Sequence, residues 1–109
     1  MIIMNTPPTI PANGFYVHYK HDPSKMLHDH MYEVVGLARN TEEKNYSVLY
    51  RPLYENDWFS PAKYQSRPLD MFLETVEKNG VLIPRFKHIT DPELIQELSA
   101  VKEKMYGLA

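Results

Sequence analysis

Hydrophobic and polar positions along the chain fall first into short alternating runs and only at the end into a helical period. Residues 15–20 form a brief aromatic-rich run that reads as a strand, and residues 31–39, centred on Val34 and Val35, form the clearest strand in the sequence. Gly36 marks a bulge or a close approach within that run. A polar turn at 40–45 leads into a second run at 46–54, so the two runs are expected to pair as an antiparallel hairpin. Pro52 cannot donate a ladder hydrogen bond and marks an edge, a bulge or the end of that strand. Residues 21–30 and 55–66 mix Asp, Pro and Ser without sustained alternation and read as loops.

Residues 67–78 place Leu69, Phe72, Leu73 and Val76 at helical spacing, yet Asn79-Gly80 between two apolar runs is a hairpin signal. A short helical turn over 68–72 followed by a hairpin over about 73–86 reconciles the two. Further on, Thr90-Asp91-Pro92-Glu93 combines a capping pattern with an early proline, and Leu94, Ile95, Leu98, Val101 and Met105 recur on one helical face. This predicts a helix over about 92–106, stopped by Gly107. About four to six short strands and one terminal helix make a mainly β chain of the α+β kind. Its apolar surface is buried either by closing a small SH3-like barrel, the preferred form, or by a strongly curled antiparallel sheet with the C-terminal helix on one face. Residues 1–13, with Pro7, Pro8 and Pro11, read as an extended arm, and residues 14–109 as one globular domain.

Composition narrows the function. The 109-residue chain contains no cysteine, which excludes disulfides, thiolate nucleophiles and cysteine-based zinc sites. Twelve basic and 14 acidic residues give a net charge of -2, so there is no general nucleic-acid footprint, although a local basic patch stays open. No apolar run approaches the roughly 20 residues of a membrane span. The short apolar start lacks Lys and Arg and soon reaches Pro7-Pro8, unlike a signal peptide, and a cytoplasmic location is expected. Eight tyrosines in so short a chain point to strands and to flat, polar-tipped rings on a binding face.

An ordered series of short motifs runs through the same segments. It comprises His18-Tyr19-Lys20, Tyr32-Glu33-Val34, Ala38-Arg39-Asn40-Thr41-Glu42, Val48-Leu49-Tyr50, Pro52-Leu53-Tyr54, Arg67-Pro68-Leu69-Asp70-Met71-Phe72 and Pro84-Arg85-Phe86. In order and spacing the series resembles the bacterial and phage family called domain of unknown function 1653, over roughly residues 14–86. The resemblance implies a compact single domain and brings no activity, substrate or catalytic residue with it. The segment from His21 to His30 and the connection at 55–66 are both longer than is usual in the family.

Several residue groups have chemical potential. His28 and His30, with His18, His21, Asp22 and Asp29 nearby, offer metal-compatible donors, but their spacing matches no familiar signature, so solvated loop histidines are expected and no metal site is assigned. Glu42, Glu43, Asp57 and Asp70 lack the company of a nucleophile motif, a P-loop or a dinucleotide-binding glycine pattern, so no catalytic residue and no cofactor are assigned, and an enzyme is the less expected outcome. Arg39, Arg67 and Arg85 recur in motif positions beside Tyr19, Tyr50 and Tyr54. Guanidinium groups grip phosphate or carboxylate through paired hydrogen bonds and tyrosine rings stack on bases, whereas the competing account has the arginines pin chain ends through carbonyls or Glu33, Glu42 and Glu74.

The leading expectation is therefore a non-catalytic binding module that sequesters a small anionic, nucleotide-like ligand with Tyr19, Arg39, Tyr50, Arg67 and Arg85. The alternative is a protein-interaction or adaptor domain whose partner meets the Trp58-Phe59 loop, a sheet edge or the terminal helix. An exposed apolar stripe on that helix would lead to a homo-oligomer. Binding of single-stranded nucleic acid on a tyrosine face comes third, since it needs a basic groove that the balanced charge does not announce. No membrane partner is expected.

Overall fold

The computed structural model describes residues 9–54 and 64–107. Strands β1 (Gly14–His18), β2 (Met31–Asn40), β3 (Asn45–Pro52) and β4 (Gln65–Pro68) are followed by a single helical turn, α1 (Leu69–Phe72). Strands β5 (Thr75–Lys78), β6 (Val81–Pro84) and β7 (Phe86–His88) then precede the helix α2 (Pro92–Tyr106). One antiparallel sheet has the order β4-β3-β2-β1-β7, and β5 and β6 pair as a separate hairpin. The mainly β architecture with a C-terminal helix is as expected. Among the described residues β4 and β7 end the five-stranded sheet and no pairing closes it, so the strands form open sheets and not a closed barrel.

Two strands lie where alternation gave no notice. β4 falls in the segment expected to be loop and helical turn, and its Pro68 is tolerated because the strand is an edge. β7 has three residues, too few to show a period, and is a strand because Phe86 and His88 pair with His18 and Tyr16. Elsewhere local chemistry decides. Asn79 and Gly80 both have positive φ, 54° and 80°, as a two-residue primed hairpin turn requires. Asp91 caps α2 by accepting from the Glu93 N–H, Pro92 occupies its first turn and Gly107, at φ 84°, ends it. Pro52 is the last residue of β3. Of the expected arm, residues 9–13 are described and contain no helix or strand, and residues 1–8 lie outside the described residues.

Strand alternation sorts the sheet into two unlike faces. Phe15, Met31, Leu53 and Ile89 face α2 and bury Leu98, with Leu94, Ile95 and Val101 packed around them. The other face carries Tyr16, Val34, Val48, Tyr50 and Phe86 and is covered in part by Leu69 and Phe72 of α1. In β2 the register steps from Val34 opposite Tyr50 to Gly36 opposite Leu49, leaving Val35 as the extra residue of a bulge, so that Val34 and Leu37 both meet this second core.

A charged group ties the helix to the sheet. Glu33 Oε1 accepts from Arg51 Nε at 2.8 Å, while Glu33 Oε2 faces Lys102 Nζ of α2 at 2.8 Å. The Arg51 guanidinium lies 4.1 Å from the Tyr106 ring centre, and the Tyr106 hydroxyl donates to the Pro52 carbonyl. Among the described residues no helix is long and apolar enough to cross a membrane. Leu98 is wholly buried between α2 and the sheet. Leu98→Ala should therefore cost about 2–5 kcal/mol of unfolding free energy, measured in urea, with the sheet signal and the helix signal lost together.

Candidate functional site

The second face ends in a cleft of about 580 Å³ at the junction of β2, β3 and β4. Tyr32 near the start of β2 and Tyr50 on β3 share a face because Val34 pairs with Tyr50 and Tyr32 with Pro52. Tyr54, two residues past the end of β3, adds a third ring, and β4 contributes Gln65, Ser66 and Arg67. The tyrosine rings meet edge to face, with centres 5.2 Å apart for Tyr32 and Tyr50 and 5.6 Å apart for Tyr32 and Tyr54. The Tyr32 and Tyr54 hydroxyls share a 2.6 Å hydrogen bond. Burial, and for Tyr32 also the bond to Tyr54, raises both phenols above the ordinary tyrosine value, so each is a neutral hydroxyl at physiological pH.

Arg67 supplies the positive charge of the cleft. Its Nε donates to the Tyr50 hydroxyl at 3.4 Å, and its guanidinium lies 5.4 Å from the centre of the Phe86 ring. Among the described residues it forms no ion pair, and no acidic residue lines the cleft. The contrast with Arg51 and Arg85 is plain, since those two are paired with Glu33 and Glu74.

His30 forms the remaining wall. It holds a positive φ of 55°, unusual for a residue with a side chain, and its Nδ1 lies 2.8 Å from Oδ2 of the buried Asp29. Its ring is 5.6 Å from that of Tyr54 and stacks on His18 at 5.7 Å. His18 sits behind this wall, 7% exposed. Its Nδ1 accepts from the Lys20 N–H at 3.2 Å, which places the proton of the neutral ring on Nε2. Burial, aided by His30, Arg67, Arg85 and Lys20, lowers its pKa to about 4.

Of the five residues expected to bind a ligand, Tyr50 and Arg67 are brought together in the cleft. Tyr19 and Arg85 form a second pair beyond His18, with the Arg85 guanidinium 5.8 Å from the Tyr19 ring and 3.0 Å from Glu74. Arg39 stands apart from both, exposed opposite Tyr46 near the hairpin end of β2. Trp58 and Phe59 lie outside the described residues. Sequence pattern does not assign His30, Tyr32 or Tyr54 to the ligand site: His30 is read there as one of the metal-compatible loop histidines, Tyr54 stands beside the motif arginines, and Tyr32 is a motif residue given no chemistry. Among the described residues no group of three or more His, Asp or Glu side chains is placed to hold a metal ion.

The neutral, buried His18 couples stability to pH. An unfolded chain takes up a proton on this imidazole near the ordinary value of 6.5, whereas the folded chain refuses it until about 4. Stability is therefore complete above about pH 6.5, falls as pH drops from there towards 4, and the fall is at most about 3 kcal/mol. His18→Gln should remove that part of the slope in urea melts run from pH 7.5 to 4, and an unaltered slope would show that the imidazole is not held neutral.

The sequence profile of a family described as protein of unknown function (DUF1653) matches residues 14–88, which include the seven strands of the described residues and each described residue that lines the cleft. No functionally curated protein matches the chain. A crystal structure of a DUF1653 protein from Bordetella bronchiseptica is 31% identical, superposes with a TM-score of 0.56, and covers 73% of this chain and 92% of that one. The chain belongs to the DUF1653 family.

Proposed function

We propose that the protein is a non-catalytic binding module that holds, and by holding sequesters, a small nucleotide-like anion in the cleft between Tyr32, Tyr50, Tyr54, His30 and Arg67. The observation that carries this reading is Arg67, a guanidinium fixed against Tyr50 and Phe86 yet without an acidic partner among the described residues. Arg51 and Arg85 have carboxylates, and Arg67 faces an open cleft instead. A guanidinium so placed donates paired, charge-assisted hydrogen bonds to a phosphate or carboxylate.

The surroundings favour a flat ligand. Aromatic walls give a base a stacking surface worth about 1–3 kcal/mol. The neutral tyrosine hydroxyls, Ser66 and Gln65 offer hydrogen bonds without adding negative charge that would repel an anion. Arg39, on the exposed hairpin end, has no part in this site.

Isothermal titration with nucleoside mono- and diphosphates tests the reading. Arg67→Gln should weaken binding by roughly 10- to 150-fold, the equivalent of about 1.5–3 kcal/mol for a hydrogen bond to a charged group. Arg39→Gln should bind as the unaltered protein does. Equal affinity in the Arg67→Gln variant, or none in the unaltered protein, rejects the site.

A further inference from the structure

The cleft does not end at His30. From Tyr50 the rings continue through Tyr32, Tyr54, His30 and His18 to Tyr19, with successive centres between 4.6 and 5.7 Å apart. Beyond the histidines this run opens on two adjoining cavities of about 480 and 410 Å³ that share Tyr19, His21 and Lys78. Lys20 lines the first and Lys87 the second. The Lys20 ammonium lies 5.9 Å from the Tyr19 ring centre, and Lys78 Nζ donates to the Tyr19 carbonyl at 2.7 Å. Aromatic rings and cations thus lie at both ends of this run, Arg67 at one and Lys20 at the other, with the partly exposed His30 and the buried His18 between them.

Cations slightly outnumber acids along the path, although the whole chain has a net charge of -2. Arg67, Arg85, Lys20, Lys78 and Lys87 stand along it with four acids: Glu74, which is paired with Arg85, Asp29, which is bonded to His30, Asp22, which accepts from the Ser24 backbone and hydroxyl, and Asp91, which lines a cavity beside Lys87. Other acids are elsewhere. Glu42 and Glu43 sit in the β2–β3 turn, and Glu93, Glu97 and Glu103 are on α2, which packs on the opposite sheet face.

We infer that the cleft is one end of a track for a short single strand of nucleic acid, with one base among Tyr32, Tyr50 and Tyr54 and the following phosphates over Tyr19, Lys20 and Lys87. This rests on the anion reading of the cleft and extends it to a ligand of more than one nucleotide. Flat rings flanked by cations suit bases joined by phosphates, because every base has a face to stack and every linkage a charge to neutralise. An acidic peptide would use the cations and leave the rings idle.

Fluorescence anisotropy with labelled DNA and RNA oligonucleotides of about eight residues, compared with a mononucleotide competitor, tests the extension. The oligonucleotide should bind at least roughly tenfold more tightly than the mononucleotide. Lys20→Gln with Lys87→Gln should weaken only the oligonucleotide and make its salt dependence shallower by about 0.7 for each phosphate left without its lysine, whereas Arg67→Gln should weaken both ligands. Neither lysine makes a hydrogen bond or ion pair through its ammonium among the described residues, so the pair can be removed without breaking the fold. An oligonucleotide that binds no better than the mononucleotide, or that ignores the two lysines, overturns the track and leaves the anion cleft standing. Oligonucleotide binding that ignores Arg67 also overturns it, as does a polyglutamate peptide that competes equally well. If neither nucleic-acid ligand binds, track and cleft reading fall together.

Discussion

A strand turns successive side chains to opposite faces, and in β1 that rule separates Phe15 and Val17 from Tyr16 and His18. Everything else in the molecule follows this division. The face with Phe15, Met31 and Leu53 is aliphatic and is spent on packing against α2. The face with Tyr16, Tyr50 and Phe86 is aromatic and forms a second buried core with Leu69 and Phe72 of α1, with Tyr32 packed against it and partly exposed. One sheet therefore carries a buried core on each side, with the partly exposed Tyr32 at the rim of the aromatic one.

The polar atoms respect the same division. Glu33, Arg51 and Lys102 lie on the helix side, where burial would make any of them costly alone and where each finds an opposite charge. On the other side the buried Asp29 is answered by His30, and His18 is relieved of charge by remaining neutral. Arg67 is the cation of that face for which the described residues provide only neutral hydroxyl and ring contacts.

How far the sequence disclosed this depends on the range of the interactions. α2 was legible to its ends because Asp91, Pro92 and Gly107 act on their own neighbours, and the Asn79-Gly80 turn was legible for the same reason. β4 and β7 were not, since three or four residues carry no period and are strands only through partners distant in sequence. The cleft divides similarly. Tyr50 and Arg67 were recognisable as residue types, yet what joins them is the β3–β4 ladder, in which Val48 stands opposite Arg67. Arg39 shares its motif character with Arg67 but lies at the far end of a ten-residue strand, and nothing in a linear motif reveals that distance. His30 reads as a solvated loop histidine, but although it precedes β2 in a turn it is only partly exposed, bonded to the buried Asp29 and stacked on His18 through contacts that no local pattern shows.

The bulge at Val35 divides the β2–β3 hairpin into two lengths that need not change together. Towards the cleft, Tyr32 and Val34 are held in phase by β1 on one side and Tyr50 on the other, whereas beyond Gly36 the hairpin continues with β3 alone and ends among exposed residues. In the outer arm Ser47 and Val48 still pair with β4 and Leu37 still meets the second core, so a change confined to the tip beyond Arg39 and Tyr46 is the kind that leaves both ladders in register. Lineages of this fold are thus free to lengthen, trim or redecorate the hairpin tip while the three tyrosines keep their places.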